Sequence, residues 1–270
     1  MAMQPWPQPS CPRSLTKTSN LRFADHFSTQ SSVYRRHRPG YPPALFAYLI
    51  NQCPYRELAW DCGCGNGQAA TDLAAHFRQV LATDPSPQQL AEAEPRANII
   101  YRVAAESDPR IESGSVDLVT AAQAAHWFDA ARFHAEVRRV LKPDGVLAVW
   151  TYGLPRINAA VDTCVDEFHG PIVGHYWPPE RAHVDTGYRD LPFPFPGLAV
   201  PELMHETEWT LDQLLQHLGT WSAVKYFRER NGTNPIDVIR GPLHAAWGDA
   251  NAARQVRWPI SLRVGRKPRH

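Results

Sequence analysis

The stretch Leu58-Ala59-Trp60-Asp61-Cys62-Gly63-Cys64-Gly65-Asn66-Gly67-Gln68 constrains this chain more than any other. An apolar run closes on an acidic residue, a turn with three alternating glycines follows, and Ala69 to Phe77 then has helical character. A strand, a turn without side-chain bulk and a helix opening are the parts of a nucleotide-type cofactor site in a parallel sheet. The glycines let the backbone approach a ligand and take dihedrals barred to other residues. A dinucleotide fingerprint, G-x-G-x-x-G, does not fit, because Gln68 stands where the third glycine belongs. The G-K-[ST] of a phosphate loop is absent. A carboxylate directly before the turn, Asp61, repels a pyrophosphate and suits a ligand that carries an ammonium group.

A second anchor follows. Gln79 to Asp84 has the pattern of the next strand and ends on a carboxylate that can accept two hydrogen bonds from a ribose diol. With Asp61, the glycine turn and Asp84 in this order, the chain resembles the class I S-adenosylmethionine-dependent methyltransferases, most of all their small-molecule (type 11, trans-aconitate methyltransferase-like) branch. Ala105-Glu106, Ser115 to Val119, Gln123-Ala124-Ala125-His126-Trp127-Phe128-Asp129 and Arg139-Val140-Leu141-Lys142-Pro143-Asp144-Gly145 match further segments of that family. The likeness is good from Phe23 to Trp150 and loose beyond.

The resemblance implies S-adenosylmethionine as cofactor and assigns residues to it. Asp61 would hold the ammonium, Gly63, Gly65 and Gly67 would pass under the methionine part, Asp84 would bind the ribose, and Glu106 would lie near the adenine. Tyr34 and Arg38 match a Y-x-x-x-R-P-x-Y-P segment with which related enzymes close over the cofactor. An aromatic face beside a sulfonium gains cation–π attraction. The plainer reading makes Arg35, Arg36 and Arg38 a basic amphipathic turn. Gln123 to Trp127 follows the fourth strand, so Gln123 falls on the cofactor side and Trp127 on the acceptor side of the carboxyl edge where open parallel sheets bind ligands. His126 is the candidate general base, since an imidazole titrates near neutrality. The alternative is that His126 and Trp127 pack the next helix, and a carboxylate acceptor would need no base at all.

Strands and helices alternate as a doubly wound sheet requires: helix Pro43 to Gln52, then strands at Leu58 to Cys62, Gln79 to Asp84, Asn98 to Val103, Val116 to Ala121 and Val146 to Tyr152. Ser86 caps a helix through Ala93, and Phe128 to Leu141 gives another. From Leu154 to Pro201 prolines and aromatics dominate. Apart from a helix over Asn158 to Phe168, this segment is expected to hold no regular helix and to form a cap over the substrate side. A structureless linker would not need so many aromatics. Tyr176 and Trp177 would then wall the acceptor pocket, with Arg181 to orient an acceptor carboxylate. Leu203 to Trp209 is a further strand, Leu211 to Ser222 a helix, and Val256 to Val264 a closing edge strand that tolerates Pro259.

The expected fold is therefore an α/β, doubly wound, seven-stranded, mostly parallel Rossmann-like methyltransferase sheet with an inserted proline- and aromatic-rich cap. The expected division is a disordered leader (1–20), the cofactor-binding core (21–152), the cap (153–201) and the C-terminal part of the core (202–270).

Charge narrows the partners. The 28 basic and 27 acidic residues nearly cancel, which argues against a general nucleic-acid or acidic-membrane footprint. No run reaches the roughly 18 to 20 apolar residues of a membrane helix. Met1 to Asn20 lacks the apolar core of a secretory signal. Five cysteines without paired spacing favour free thiols and a cytoplasmic protein. Cys62 and Cys64 form a lone C-x-C, which serves better as small spacers than as a metal site. Function thus points to methyl transfer from S-adenosylmethionine to a carboxylate or hydroxyl of a small molecule, the alternative being a non-catalytic S-adenosylmethionine-binding or regulatory protein. The acceptor's identity and the oligomeric state are not encoded in any motif.

Overall fold

The computed structural model describes residues 40–269. Seven strands, β1 (Leu58–Cys62), β2 (Gln79–Asp84), β3 (Ile99–Val103), β4 (Val116–Ala122), β5 (Leu141–Tyr152), β6 (Leu203–Trp209) and β7 (Arg254–Arg266), form one sheet in the order β3-β2-β1-β4-β5-β7-β6. β1 to β5 pair parallel, and β7 runs antiparallel to both neighbours. The order reverses between β1 and β4, so the carboxyl ends of these strands frame the crevice where such sheets take ligands.

Period-two alternation sends successive side chains to opposite faces. Along β5, Val146, Ala148 and Trp150 join one core while Leu147 and Val149 join the other. The first core receives α1 (Pro43–Gln52) through Leu45, Phe46, Leu49 and Ile50, and α2 (Gln68–Ala74) through Ala69, Ala70 and Leu73. The helix α3 (Pro87–Ala91) starts at Ser86, whose side chain accepts from the Gln89 N–H. The opposite core receives α4 (Ala130–Val140), whose Phe133, Val137 and Val140 lie on one stripe. Asp129 caps α4 by accepting from the Arg132 N–H, and Arg138 and Arg139 in the last turn complement the helix dipole.

The segment between β5 and β6 begins with α5 (Ala159–Glu167), capped by Asn158, followed by a π turn (Phe168–Ile172) and a 3₁₀ turn (Gly174–Tyr176). Contrary to the expectation of no further helix, α6 (Arg181–Asp185) follows. Pro178 and Pro179 precede its hydrogen-bonded turn, so neither interrupts it. The C-terminal helices are α7 (Leu211–Gly219), α8 (Ser222–Asn231) and α9 (Ile236–Trp247). A capping box between Thr210 and Gln213 starts α7. Val161, Val165 and Phe168 of the inserted segment share a third core with Leu214, Leu218, Val224, Leu243 and Trp247.

β7 is not the edge strand that its proline suggested. It lies between β5 and β6, and the edge is β6. Pro259 is tolerated because β5 has just ended there: Gly153, one residue past β5, donates its N–H to the Pro259 carbonyl at 3.0 Å. Further along, where β6 no longer pairs, Leu198 donates to the Val264 carbonyl and Gly197 bridges Gly265, covering the exposed side of β7.

Candidate cofactor and methyl-transfer site

Asp61, the penultimate residue of β1, lies opposite Thr120 of β4, whose hydroxyl donates to Asp61 Oδ1 at 2.8 Å. Asp61 is fully buried and, among the described residues, its Oδ2 has no hydrogen-bond partner. Burial pushes its carboxyl up to about 7; the Thr120 bond opposes this and the neighbouring Asp84 charge adds to it. A half-satisfied buried carboxylate is costly unless a donor arrives.

The turn after β1 is fixed by β2. The N–H groups of Gly63 and Cys64 both donate to the Thr83 carbonyl, at 2.8 and 2.9 Å. Gly65 N–H donates to Asp84 Oδ2 at 2.9 Å, and Ser86 N–H to Asp84 Oδ1 at 2.8 Å. Asp84 therefore ties the glycine turn to the start of α3, and a carboxylate with four lone-pair directions has capacity beyond these two bonds. Gly63, Gly65 and Gly67 all have positive φ, 70°, 55° and 83°. Their surroundings differ. A Cβ at Gly63 would lie 2.6 Å from the Ala124 Cβ, and one at Gly67 would lie 2.5 Å from the Tyr101 hydroxyl. At Gly65 the nearest atom among the described residues, Gln89 Oε1, would be 3.8 Å away. Packing alone thus demands glycine at the outer two positions, while the middle one leaves room above the backbone. The Cys62 and Cys64 thiols are buried, and burial raises both well above the usual thiol range.

Glu106 follows β3 and pairs with Arg132 of α4 at 3.4 Å. Behind it lies an ion cluster that sequence reasoning did not find: buried Asp108 takes Arg102 at 2.9 Å and Arg110 at 2.6 Å, and its N–H donates to Glu136. Burial alone would raise the Asp108 carboxyl, but the two guanidiniums outweigh it and hold it below its ordinary value.

Past β4, Gln123 has φ 55° and Tyr188 has φ 63°, left-handed conformations that cost a bulky residue of order 1–3 kcal/mol. Such strain persists only where the surroundings dictate it. Gln123 N–H donates to the Trp150 carbonyl, and Gln123 Oε1 accepts from the Thr151 hydroxyl at 2.6 Å. Arg263 of β7 donates to the Tyr188 and Leu191 carbonyls, both at 2.6 Å. The fully buried Tyr188 hydroxyl meets His126 Nδ1 at 2.7 Å. His126 and Trp127 sit in a 3₁₀ turn (Ala125–Trp127) after β4, beside α6. Tyr188, Thr151 and Thr120 were missed because no spacing marks them; strand register and a long-range loop bring them in.

The remaining sequence candidates are divided. Arg181 of α6 lies over the Trp177 ring at 4.5 Å and pairs with Asp185 at 3.0 Å. Trp177 donates its ring N–H to the His169 carbonyl and stacks near Trp221. Tyr176 packs on Phe227 and accepts from Asn231. Tyr176 and Trp177 thus make these contacts within the third core. Tyr34 and Arg38 lie outside the described residues. Among the described residues there is no cluster of three or more metal-ligating side chains, and no helix is long and apolar enough to cross a membrane.

A family profile described as a methyltransferase domain matches residues 60–149, the stretch from β1 to β5. A methyltransferase of Dictyostelium discoideum is 32% identical over 254 residues, 91% of this chain and 96% of that protein. This chain belongs to the class I S-adenosylmethionine-dependent methyltransferases. A Mycobacterium tuberculosis methyltransferase is 35% identical over 189 residues, covering 68% of this chain and 70% of its own. A solved structure from Anaeromyxobacter dehalogenans, described as a type II methyltransferase, superposes with a TM-score of 0.81 at 47% identity, over 86% of this chain and 99% of the other. None of the three names an acceptor. The cofactor is S-adenosylmethionine, and the site fits it: a buried orphan oxygen on Asp61 for a cation, a carboxylate at the end of β2, and an open backbone cradle at Gly65.

Proposed function

We propose that this methyltransferase acts on the oxygen of a small molecule, a carboxylate or a hydroxyl. The observation that carries the reading is the hydrogen-bonded pair His126 Nδ1–Tyr188 on the turn after β4, a base candidate on the ligand-binding edge of the sheet. Bound S-adenosylmethionine supplies an electrophilic methyl on a sulfonium. Asp61 binds the ammonium through Oδ2, Gly63, Gly65 and Gly67 form the floor of the methionine part, and Asp84 holds the ribose diol. Glu106 lies toward the adenine, Gln123 toward the methyl, and Tyr34 and Arg38 close over the site. Trp127, Tyr176, Trp177 and Arg181 serve the acceptor, whose pocket is contributed by the cap at 153–201 above the core of 21–152 and 202–270. For a hydroxyl, His126 takes the proton. For a carboxylate, alignment and exclusion of water suffice.

The near balance of charge and the free thiols favour a cytoplasmic protein acting on small molecules rather than on nucleic acid. Trans-aconitate-like carboxylates are one acceptor class to include. The test is a transfer assay with labelled methyl donor against small acids, phenols, alcohols and amines, with products extracted away from protein. Label in an ester or ether supports the reading. Label only in amines, or in no small molecule while S-adenosylhomocysteine binds, overturns it.

A further inference from the structure

We propose that Gln123 is an acceptor-binding residue that selects an oxygen nucleophile over an amine: a carboxamide N–H donates to the acceptor oxygen and leaves that oxygen a second lone pair for the methyl. The proposal rests on the oxygen-transfer reading above and deepens it.

The Gln123 carboxamide has a fixed orientation. The Thr151 hydroxyl donates to Gln123 Oε1 at 2.6 Å. That separation is ordinary for O–H···O and shorter than the about 2.7 to 3.2 Å of N–H···O, so the amide oxygen faces Thr151 and the amide nitrogen is turned away from it. Thr151 lies buried on β5, so this bond is made out of reach of water. Gln123 itself is half-buried, and among the described residues its two Nε2 protons have no hydrogen-bond partner. A side chain with one end tied and two donors left over is equipped to bind a lone pair.

The backbone keeps Gln123 there against its own preference. Its φ of 55° is a left-handed conformation that glycine or asparagine takes more easily. The Gln123 N–H donates to the Trp150 carbonyl at 2.9 Å, and the next residue, Ala124, lies against the glycine turn, where a Cβ at Gly63 would come within 2.6 Å of its own. The bend follows β4 directly and precedes the turn that carries His126, on the edge where the strand order reverses. Strain of this kind collects at ligand sites, and here it is kept for a long amide.

A donor discriminates between nucleophiles. The oxygen of an alcohol, a phenol or a carboxylate has at least two lone pairs. One accepts from Gln123 Nε2. The other forms the bond to the methyl carbon as the carbon–sulfur bond breaks, and that bond's electron pair stays on sulfur. A hydroxyl passes its proton to His126, as above, and a carboxylate has none to pass. A neutral amine nitrogen has a single lone pair, so the same donor occupies the pair that must attack. What Gln123 supplies is alignment of the oxygen.

The experiment is steady-state kinetics of the full chain on an oxygen acceptor found in the labelled-methyl panel and on the amine of the same carbon frame, with S-adenosylhomocysteine affinity measured by calorimetry. Gln123→Glu removes the donors and keeps an acceptor for Thr151. Gln123→Met removes them without adding charge, and serves if the first does not fold or takes up a proton. In each, kcat/KM on the oxygen acceptor should fall about tenfold or more, while transfer to the amine stays at least at the parent's level and cofactor affinity is unchanged. Damage to the fold alone would lower both acceptors together. Equal losses on both acceptors, or parent-like efficiency on the oxygen acceptor, overturns the proposal. So does a loss of cofactor affinity as large as the loss of efficiency, which would assign Gln123 to the cofactor. A panel in which only amines take label sinks the oxygen-transfer reading itself, and that result is obtained with the parent chain before any variant is made.

Discussion

Thr120 of β4 donates to Asp61 Oδ1 of β1 at 2.8 Å, while Asp61 Oδ2, fully buried, has no hydrogen-bond partner among the described residues. The register of the parallel pair Asp61↔Thr120 makes this arrangement unavoidable once β1 and β4 are neighbours. One oxygen is held in place and the other is reserved.

The first prediction concerns pH. Without ligand the Asp61 carboxyl is raised to about 7, burial being the largest cause. Because the folded value lies above the unfolded one, the folded chain holds a proton that the unfolded chain has lost between about pH 4 and 7, so this group makes the unliganded protein less stable as pH rises through that window. An ammonium at Oδ2 favours the charged form and lowers the value. Binding of S-adenosylhomocysteine below pH 7 should then release close to one proton, and affinity should fall roughly tenfold per unit on going further down. Just above pH 7 affinity should level off, and it should fall again where the ligand's own ammonium loses its proton. Calorimetry in buffers of different ionisation enthalpy measures the release directly. No proton release at pH 6 would mean that Asp61 does not meet the ammonium.

The second concerns Asp84. Asp84→Ala removes the acceptor for the Gly65 and Ser86 amides and, on the proposed reading, the ribose anchor too. The loss in cofactor affinity should be about 1–3 kcal/mol, with a lower Tm even without ligand. Asp84→Asn keeps one acceptor oxygen and should fall between. If Asp84→Ala binds S-adenosylhomocysteine like the parent, the ribose lies elsewhere.

The third separates packing from binding among the glycines. Gly63→Ala forces a Cβ against Ala124 and imposes a positive φ on alanine. Overpacking of about 1–3 kcal/mol and a left-handed cost of about 1–2 kcal/mol should add, and Ala124→Gly should restore part of it. Gly65→Ala carries the left-handed cost alone, yet fills the space over the backbone. Urea unfolding should therefore show the larger loss for Gly63→Ala, while calorimetry shows the larger loss of cofactor affinity for Gly65→Ala. Equal binding by Gly65→Ala and the parent would move the ligand away from the turn.

What was legible in the sequence was what local rules decide. The alternation of Val146 to Trp150 and the Asp61-to-Gly67 turn are period-two and glycine signals, and they placed five parallel strands and the strand–turn–helix unit at the carboxyl edge of the sheet. Helices α8 and α9 were not anticipated. In α9 Gly241 and Pro242 act as breakers, yet both are exposed, so the backbone group that Pro242 leaves unpaired faces water while Ile236, Ile239, Leu243 and Trp247 still form a buried stripe. Pro259 misled in the opposite way: whether proline fits a central strand depends on where the neighbour stops, which only pairing decides. Tyr188 is a tertiary fact, held by Arg263 from 75 residues away.

The fourth prediction assigns acceptor choice to α6. Arg181 stands on the helix beside the His126 turn, with its guanidinium over Trp177 and one bond to Asp185. An acidic acceptor can compete for that guanidinium with a forked pair of hydrogen bonds. Trp177 is a poor place to test this, because its ring packs among His169 and Trp221 and its truncation should lower stability by about 2 kcal/mol or more through lost packing. Arg181→Met is the cleaner change: it keeps an apolar stem on the indole and removes only the charge. Efficiency with acceptors that carry a carboxylate should fall about tenfold or more, a loss of roughly 1.5 kcal/mol expected for a charged hydrogen bond, while neutral acceptors and cofactor affinity stay unchanged. Steady-state kinetics on a matched acidic and neutral pair decides it. Equal losses on both would mean that Arg181 only braces α6 against Trp177, and the acceptor's polar contact would then have to come from the Gln123–Trp127 side of the crevice.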